Sequence, residues 1–227
     1  HFCPGYGSAA KFIATSVREM GLDSDVYDKN IVTIVEVMGR DSGFLAAASA
    51  LARDEVIDSP HLIYLPEIPF DENKFLSNVE TAIKKKGRVF IVASEGLKDR
   101  AGAYIHLETK ADAFGNVQMG GAGRHLEHLV KKNIEKRVKT IELSTTQRCA
   151  AYIASLVDNE AAVMVGKAGV NYIMDGVSGI MVSIQKTDKG FAPSTVPLAK
   201  VANAIKLFPT EWIDIQNCWI TQEAIDY

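Results

Sequence analysis

The chain has 227 residues, 47% of them hydrophobic and 23% charged, with a net charge of −3. That is enough apolar side chain to bury a sizeable core and too much for disorder, and no basic block announces a nucleic-acid surface. No apolar run approaches the roughly 20 residues needed to span a bilayer, and the start carries no signal-peptide pattern.

The first residue is His1, and Pro4, Gly5 and Gly7 follow it, which reads as a loop leading into a helix and suits a piece of a longer chain. Ser8 stands as an N-cap before an Ala-rich helix over 9–20, whose Phe12, Ile13, Val17 and Met20 share one face; Gly21 is placed to stop it. Residues 31–37 are a β-branched run, the pattern of a buried parallel strand. The alternation then repeats. A helix is expected over 42–53, a strand over 61–65 ending at Pro66, an amphipathic helix over 73–86, and a strand over 89–93. Helices between successive buried strands are the βαβ signature, so the fold class is α/β with a mainly parallel sheet.

From Gly115 the pattern loosens. Gly120, Gly121 and Gly123 mark a turn before a basic helix over 125–137, and 140–143 suits a short strand. Helices are expected over 147–157 and 160–174, a strand over 179–184, and a short helix between Pro197 and about residue 207.

In open parallel sheets ligands sit beyond the carboxyl ends of the strands. The first strand delivers Met38, Gly39 and Arg40 there, where a glycine allows close backbone approach and a guanidinium can fork onto phosphate oxygens. Read locally, Arg40 could equally pair with Asp41 or Glu36 on a surface turn. The third strand delivers Glu95, a carboxylate able to accept from sugar hydroxyls or simply to be solvated. Gln147-Arg148 opens a helix, and a cation there conflicts with the helix dipole unless an anion shares the site.

Other motifs fail on their chemistry. Residues 5–11 look like a phosphate loop but lack its Gly-Lys-Ser/Thr ending and a preceding strand. Residues 113–115 are not a kinase magnesium motif, because Asp112 comes one place early. His125 and His128 have no obvious third ligand beside them and read as exposed helix residues. Cys3, Cys149 and Cys218 are far apart and lack C-x-x-C spacing, which suits free thiols in a reducing cytoplasm.

Five segments, in order, resemble the phosphofructokinase family. Residues 35–45 hold an M-G-R segment at Met38-Gly39-Arg40; residues 62–70 hold P-E-I-P-F; residues 92–96 hold the sugar-binding glutamate at Glu95. Residues 142–150 hold Gln147-Arg148, and residues 196–203 with 209–213 are similar to tail segments of the long, pyrophosphate-type branch. The resemblance implies a three-layer phosphofructokinase-like fold with helices on both faces of the sheet, incomplete at the N-terminus. It divides the chain into a sugar-phosphate lobe at 1–145, part of a donor lobe at 146–195 and a tail at 196–227. It also implies phosphoryl transfer from pyrophosphate or ATP, with magnesium, to the 1-hydroxyl of fructose 6-phosphate. In that scheme Met38 and Gly39 border the sugar, Glu95 holds its hydroxyls, and Arg148 binds the 6-phosphate with Lys139 as a further cation. Arg40 steadies charge on the transferring group, the one catalytic assignment.

Two departures qualify the match. Thr145 stands where many members carry histidine or tyrosine, and Lys139 where many carry arginine. The family's T-I-D-x-D base motif and its Gly-Gly-Asp donor loop do not occur in the sequence. The chain alone is therefore expected to be inactive, with no cofactor or metal residues assigned within it, and a non-catalytic α/β ligand-binding or scaffold domain is the alternative. A cytoplasmic homo-oligomer, with neither nucleic acid nor membrane as partner, completes the expectation.

Overall fold

The structure is a computed structural model and describes residues 3–27, 31–106, 121–135, 137–188 and 190–227. In chain order the elements are α1 (Tyr6–Asp25), β1 (Ile31–Val37), α2 (Phe44–Ala47) with a 3-10 turn (Ala48–Ala52), β2 (Leu62–Tyr64), α3 (Glu72–Lys86) and β3 (Arg88–Ser94). Then follow α4 (Ala122–Asn133), β4 (Val138–Glu142), α5 (Thr146–Cys149), α6 (Leu156–Met174), β5 (Ile180–Thr187), β6 (Gly190–Pro197) and α7 (Leu198–Val201). A small hairpin, β7 (Ile213–Asp214) and β8 (Trp219–Ile220), precedes α8 (Gln222–Asp226). Two compact units divide this chain: 13–147 with 207–227, and 1–12 with 148–206.

The larger unit is built on a four-stranded parallel sheet in the order β2-β3-β1-β4. Every residue of β1 is buried, as expected for a β-branched central strand covered on both faces. Val32, Ile34, Val89, Ile91 and Ala93 form one face, packed on Phe75 and Val79 of α3 and Leu126, Leu129 and Val130 of α4. The alternate residues look the other way, where the Thr33 hydroxyl lies 3.3 Å from that of Ser24 in α1. Burying side chains such as Phe75 and Ile34 contributes roughly 1.5–3 kcal/mol each. The three-layer α/β arrangement implied by the sequence is therefore present.

Local chemistry sets the helix ends. Asp71 caps α3 by accepting from the Lys74 amide at 3.0 Å, and Gly87 closes it in the left-handed region at φ 72°. Gly21 does not stop α1, which runs four residues further to Asp25. A Cβ at Gly21 would lie 2.9 Å from Cβ of Ser59, so this glycine serves close packing against a loop. The helix expected over 125–137 begins at Ala122, where Glu36 accepts from the Gly121 and Gly123 amides, and ends at Asn133. The stretch expected as one helix over 42–53 tightens after Ala47 into the 3-10 turn. The C-terminal segment covers the free edge of β2: the Ile63 amide donates to the Cys218 carbonyl at 2.8 Å, and an edge strand is thereby paired.

In the smaller unit, β5 and β6 form an antiparallel hairpin over eight residue pairs. Only the first of these strands was legible in the sequence, since Pro193 and Pro197 argue against a strand. The helix expected over 147–157 is instead the short α5 followed by a 3-10 turn (Ala151–Ile153). Ser8 is not the N-cap of α1. It lies in the first turn, where its amide donates to Asp158 Oδ2 at 2.7 Å and its hydroxyl accepts from the Ser155 amide. A carboxylate thus holds the helix N-terminus that only superficially looked like a phosphate loop.

Candidate functional site

The connection leaving β1 runs towards β2, and the one leaving β3 runs towards β4, although β1 and β3 are neighbours. Each connection crosses the neighbouring strand, in opposite directions, and in open α/β sheets the carboxyl ends of such a strand pair are where ligands bind. The loop carrying Met38, Gly39 and Arg40 and the turn carrying Glu95 and Gly96 both lie there.

Three hydrogen bonds join the two segments, and two more brace them, one within the turn and one from Gln147. The Glu95 amide donates to the Val37 carbonyl at 2.9 Å. The Gly39 amide donates to Glu95 Oε1 at 3.2 Å, and Ser94 Oγ donates to the Gly39 carbonyl at 2.8 Å. The Gly96 amide donates to Ser94 Oγ at 3.2 Å, and the Met38 amide to Gln147 Oε1 at 3.0 Å. Two glycines are required by this geometry. A Cβ at Gly96 would fall 1.6 Å from the Arg40 carbonyl oxygen, and Gly39 has φ 147° with a Cβ position 2.7 Å from the Ser42 carbonyl oxygen.

Carboxylates surround the loop, each with its own partners. Glu36 accepts from the amides of Gly121 and Gly123, at the N-terminus of α4. Burial pushes its pKa up, helped by the charges of Glu142 and Glu95, against the two amides that lower it. Burial also acts to raise Asp41, but hydrogen bonds from Lys98 at 2.5 Å and Tyr104 at 2.9 Å, with the charges of Lys98 and Arg40, hold it below its ordinary value. The surface-turn reading of Arg40 therefore finds the principal partners of Glu36 and Asp41 elsewhere.

Of the residues singled out in the sequence, Met38, Gly39, Arg40 and Glu95 are brought together, with Arg40 exposed and Glu95 buried. Thr145 lies exposed in the turn after β4, and Arg148 is exposed on α5 in the smaller unit. Lys139 does not join the strand-end cluster. It is in register with Thr33 and pairs with Asp23 at 2.9 Å. Four residues of β1 separate Thr33 from the strand end, about 13 Å. His125 is half-buried rather than exposed, with Nε2 3.6 Å from Glu72. Sequence reasoning missed Gln147, Ser94 and Gly96, although all three stand inside the quoted segments; their role is to bond backbone, which no residue pattern signals.

The parallel sheet with helices on both faces defines an α/β protein whose strand-end loop at 38–40 is fixed by the neighbouring strand end. The phosphofructokinase family model matches residues 1–173, and the chain belongs to that family. It is 39% identical over 233 residues to the pyrophosphate–fructose 6-phosphate 1-phosphotransferase of Xanthomonas campestris pv. campestris, covering 99% of this chain and 55% of that protein. The corresponding protein of Methylococcus capsulatus is 35% identical over 230 residues, with the same two coverages. The crystal structure of a pyrophosphate-dependent phosphofructokinase from Marinobacter aquaeolei superposes with a TM-score of 0.81 at 34% identity, over 99% of this chain and 54% of that one. The chain thus spans about half the length of the relatives it matches.

Among the described residues no group of three or more His, Cys, Asp and Glu side chains could hold a metal ion, and none of the helices is long and apolar enough to cross a membrane.

Proposed function

We propose that this chain supplies the sugar-phosphate side of a phosphofructokinase, whose complete form transfers a phosphoryl group from pyrophosphate to the 1-hydroxyl of fructose 6-phosphate. The loop at 38–40, fixed through Glu95, Ser94 and Gln147 at the β1/β3 strand ends, carries this reading. Preorganised backbone at a pair of strand ends is what positioning a small polar ligand requires.

Met38 and Gly39 border the sugar, and Glu95, held against the Gly39 amide, accepts from its hydroxyls. Arg40, exposed at the loop tip, steadies negative charge on the transferring phosphoryl group. Phosphoryl transfer depends on such positioning and charge stabilisation rather than on covalent chemistry by the protein. Arg148 and Thr145 take the 6-phosphate. Lys139, set back along β4 and paired with Asp23, stands apart from this group; a homo-oligomer is the assembly that the family implies. The names of the relatives support pyrophosphate over ATP. The free cysteines suit a cytoplasmic protein.

Calorimetric titration of the chain with fructose 6-phosphate tests the reading. Saturable binding without turnover is expected, and a flat titration overturns it. In the complete protein, assayed with pyrophosphate and ATP in turn, Arg40→Ala is expected to lower kcat by about 10²–10³ with folding intact.

A further inference from the structure

Glu67, at the carboxyl end of β2, makes a bridge within the larger unit that the proposed chemistry does not use. Its Oε1 accepts from the Gly43 amide at 2.8 Å and from the Phe208 amide at 2.8 Å. Gly43 ends the loop that begins at Met38, while Phe208 belongs to the C-terminal segment. The fit around Gly43 is tight: a Cβ there would lie 2.7 Å from Glu67 Oε2 and 2.9 Å from Cδ2 of Leu65. Glu67 Oε2 is itself buried and has no hydrogen-bond partner among the described residues. One carboxyl oxygen is kept out of water without a partner while the other holds two backbone amides, and an unsatisfied buried polar atom is costly.

Aromatic rings reinforce the same junction. Phe44, the first residue of α2, meets Phe208 edge-on with centroids 5.1 Å apart and lies 6.1 Å from Tyr227. Phe208 and Trp212 are 5.7 Å apart, and Trp212 and Tyr227 5.0 Å. The C-terminal segment is therefore fastened to both the end of the loop and the start of the helix that follows it.

We propose that Glu67 is a positioning residue: it makes the segment 207–227 a strap that holds the Met38–Gly43 loop in its ligand-ready conformation. The ligand part of this inference rests on the reading of the loop as the sugar-phosphate site; the strap itself does not. Loss of the carboxylate frees Gly43 and Phe208 together, whereas a purely local cap would free one of them.

The test compares Glu67→Ala and Glu67→Gln in the 227-residue chain by amide hydrogen exchange and by titration with fructose 6-phosphate. Glu67→Ala is expected to speed exchange at both Gly43 and Phe208 about tenfold, the equivalent of one lost hydrogen bond, and to weaken sugar-phosphate binding by a similar factor. Exchange at Phe75 in the core is expected to stay unchanged. Glu67→Gln, which keeps an acceptor oxygen, should restore both properties. Unchanged exchange at Gly43, or a change at Gly43 without one at Phe208, overturns the strap. If Glu67→Ala does not fold, Trp212→Ala gives the second approach: loosening the segment should speed exchange at Gly43, and no effect there overturns the proposal. Absence of sugar-phosphate binding by the unaltered chain counts against the site reading alone, because the exchange results still decide the strap.

Discussion

The two units solve burial in opposite ways. In the larger one, β1 is buried along its whole length, and Phe75, Phe90, Ile34 and Leu126 are fully enclosed between sheet and helices. In the smaller one, α6 has 19 residues of which only Ala161 is buried, while Leu156, Val163, Val170, Ile173 and Met174 are each more than half exposed. A helix with apolar residues around its circumference belongs in an interior. The comparison teaches that one unit completes its own core, whereas the other carries the sequence of a core without its burial. The matched relatives are almost twice as long, which agrees with that difference.

The largest effect should come from the self-sufficient unit. Phe75→Ala is expected to cost about 3–5 kcal/mol, measured by denaturant unfolding with exchange followed in each unit; a loss below 1 kcal/mol would break the comparison. Gly96→Ala should follow, at about 1–3 kcal/mol, because the added carbon meets the Arg40 carbonyl rather than a movable side chain. It should also abolish sugar-phosphate binding in the titration.

A smaller effect is set by pH. Burial raises Glu36 and Glu67 in the folded state, so the folded chain binds protons more readily than the unfolded one. Stability from these two groups should rise as pH falls from neutral through their raised folded values, and level off below the unfolded value. Asp41 acts with the opposite sign: its depressed folded value gives stability above the unfolded value that is lost as pH falls through the folded one. Thermal melts should therefore pass through a maximum on the acid side of neutrality, and Glu36→Gln should flatten its rise. A rise that is unaltered in the variant would remove Glu36 from the account. The smallest effect is expected in the other unit, where Ile173→Ala should change stability by less than about 0.5 kcal/mol. A larger loss would show that α6 is already buried in solution.

What was readable in the sequence was mostly periodic or local. The β-branched runs at 31–37 and 89–93 gave both central strands because such strands are buried on both faces and need no polar alternation. Phe75 and Val79, four residues apart, gave the inward face of α3. That Met38, Gly39, Arg40 and Glu95 sit at strand ends was legible from the alternation of elements, whereas their proposed roles came from the family resemblance. β6 was not legible, because Pro193 hides a strand whose partner lies on the next hairpin arm. Gly21 looked like a helix stop because local pattern cannot see Ser59 across the packing contact.

The sequence by itself determined the alternation of buried strands and helices, and with it the sheet's class and the positions of its carboxyl ends, since hydrophobic periodicity and chain order are local properties. Only the tertiary structure decided which backbone amides those ends must satisfy. Gln147 on Met38, Glu95 on Gly39 and Glu67 on Gly43 are pairings over 24 to 109 residues of chain, and a hydrogen bond between distant segments depends on where the fold brings them, not on the residues beside them.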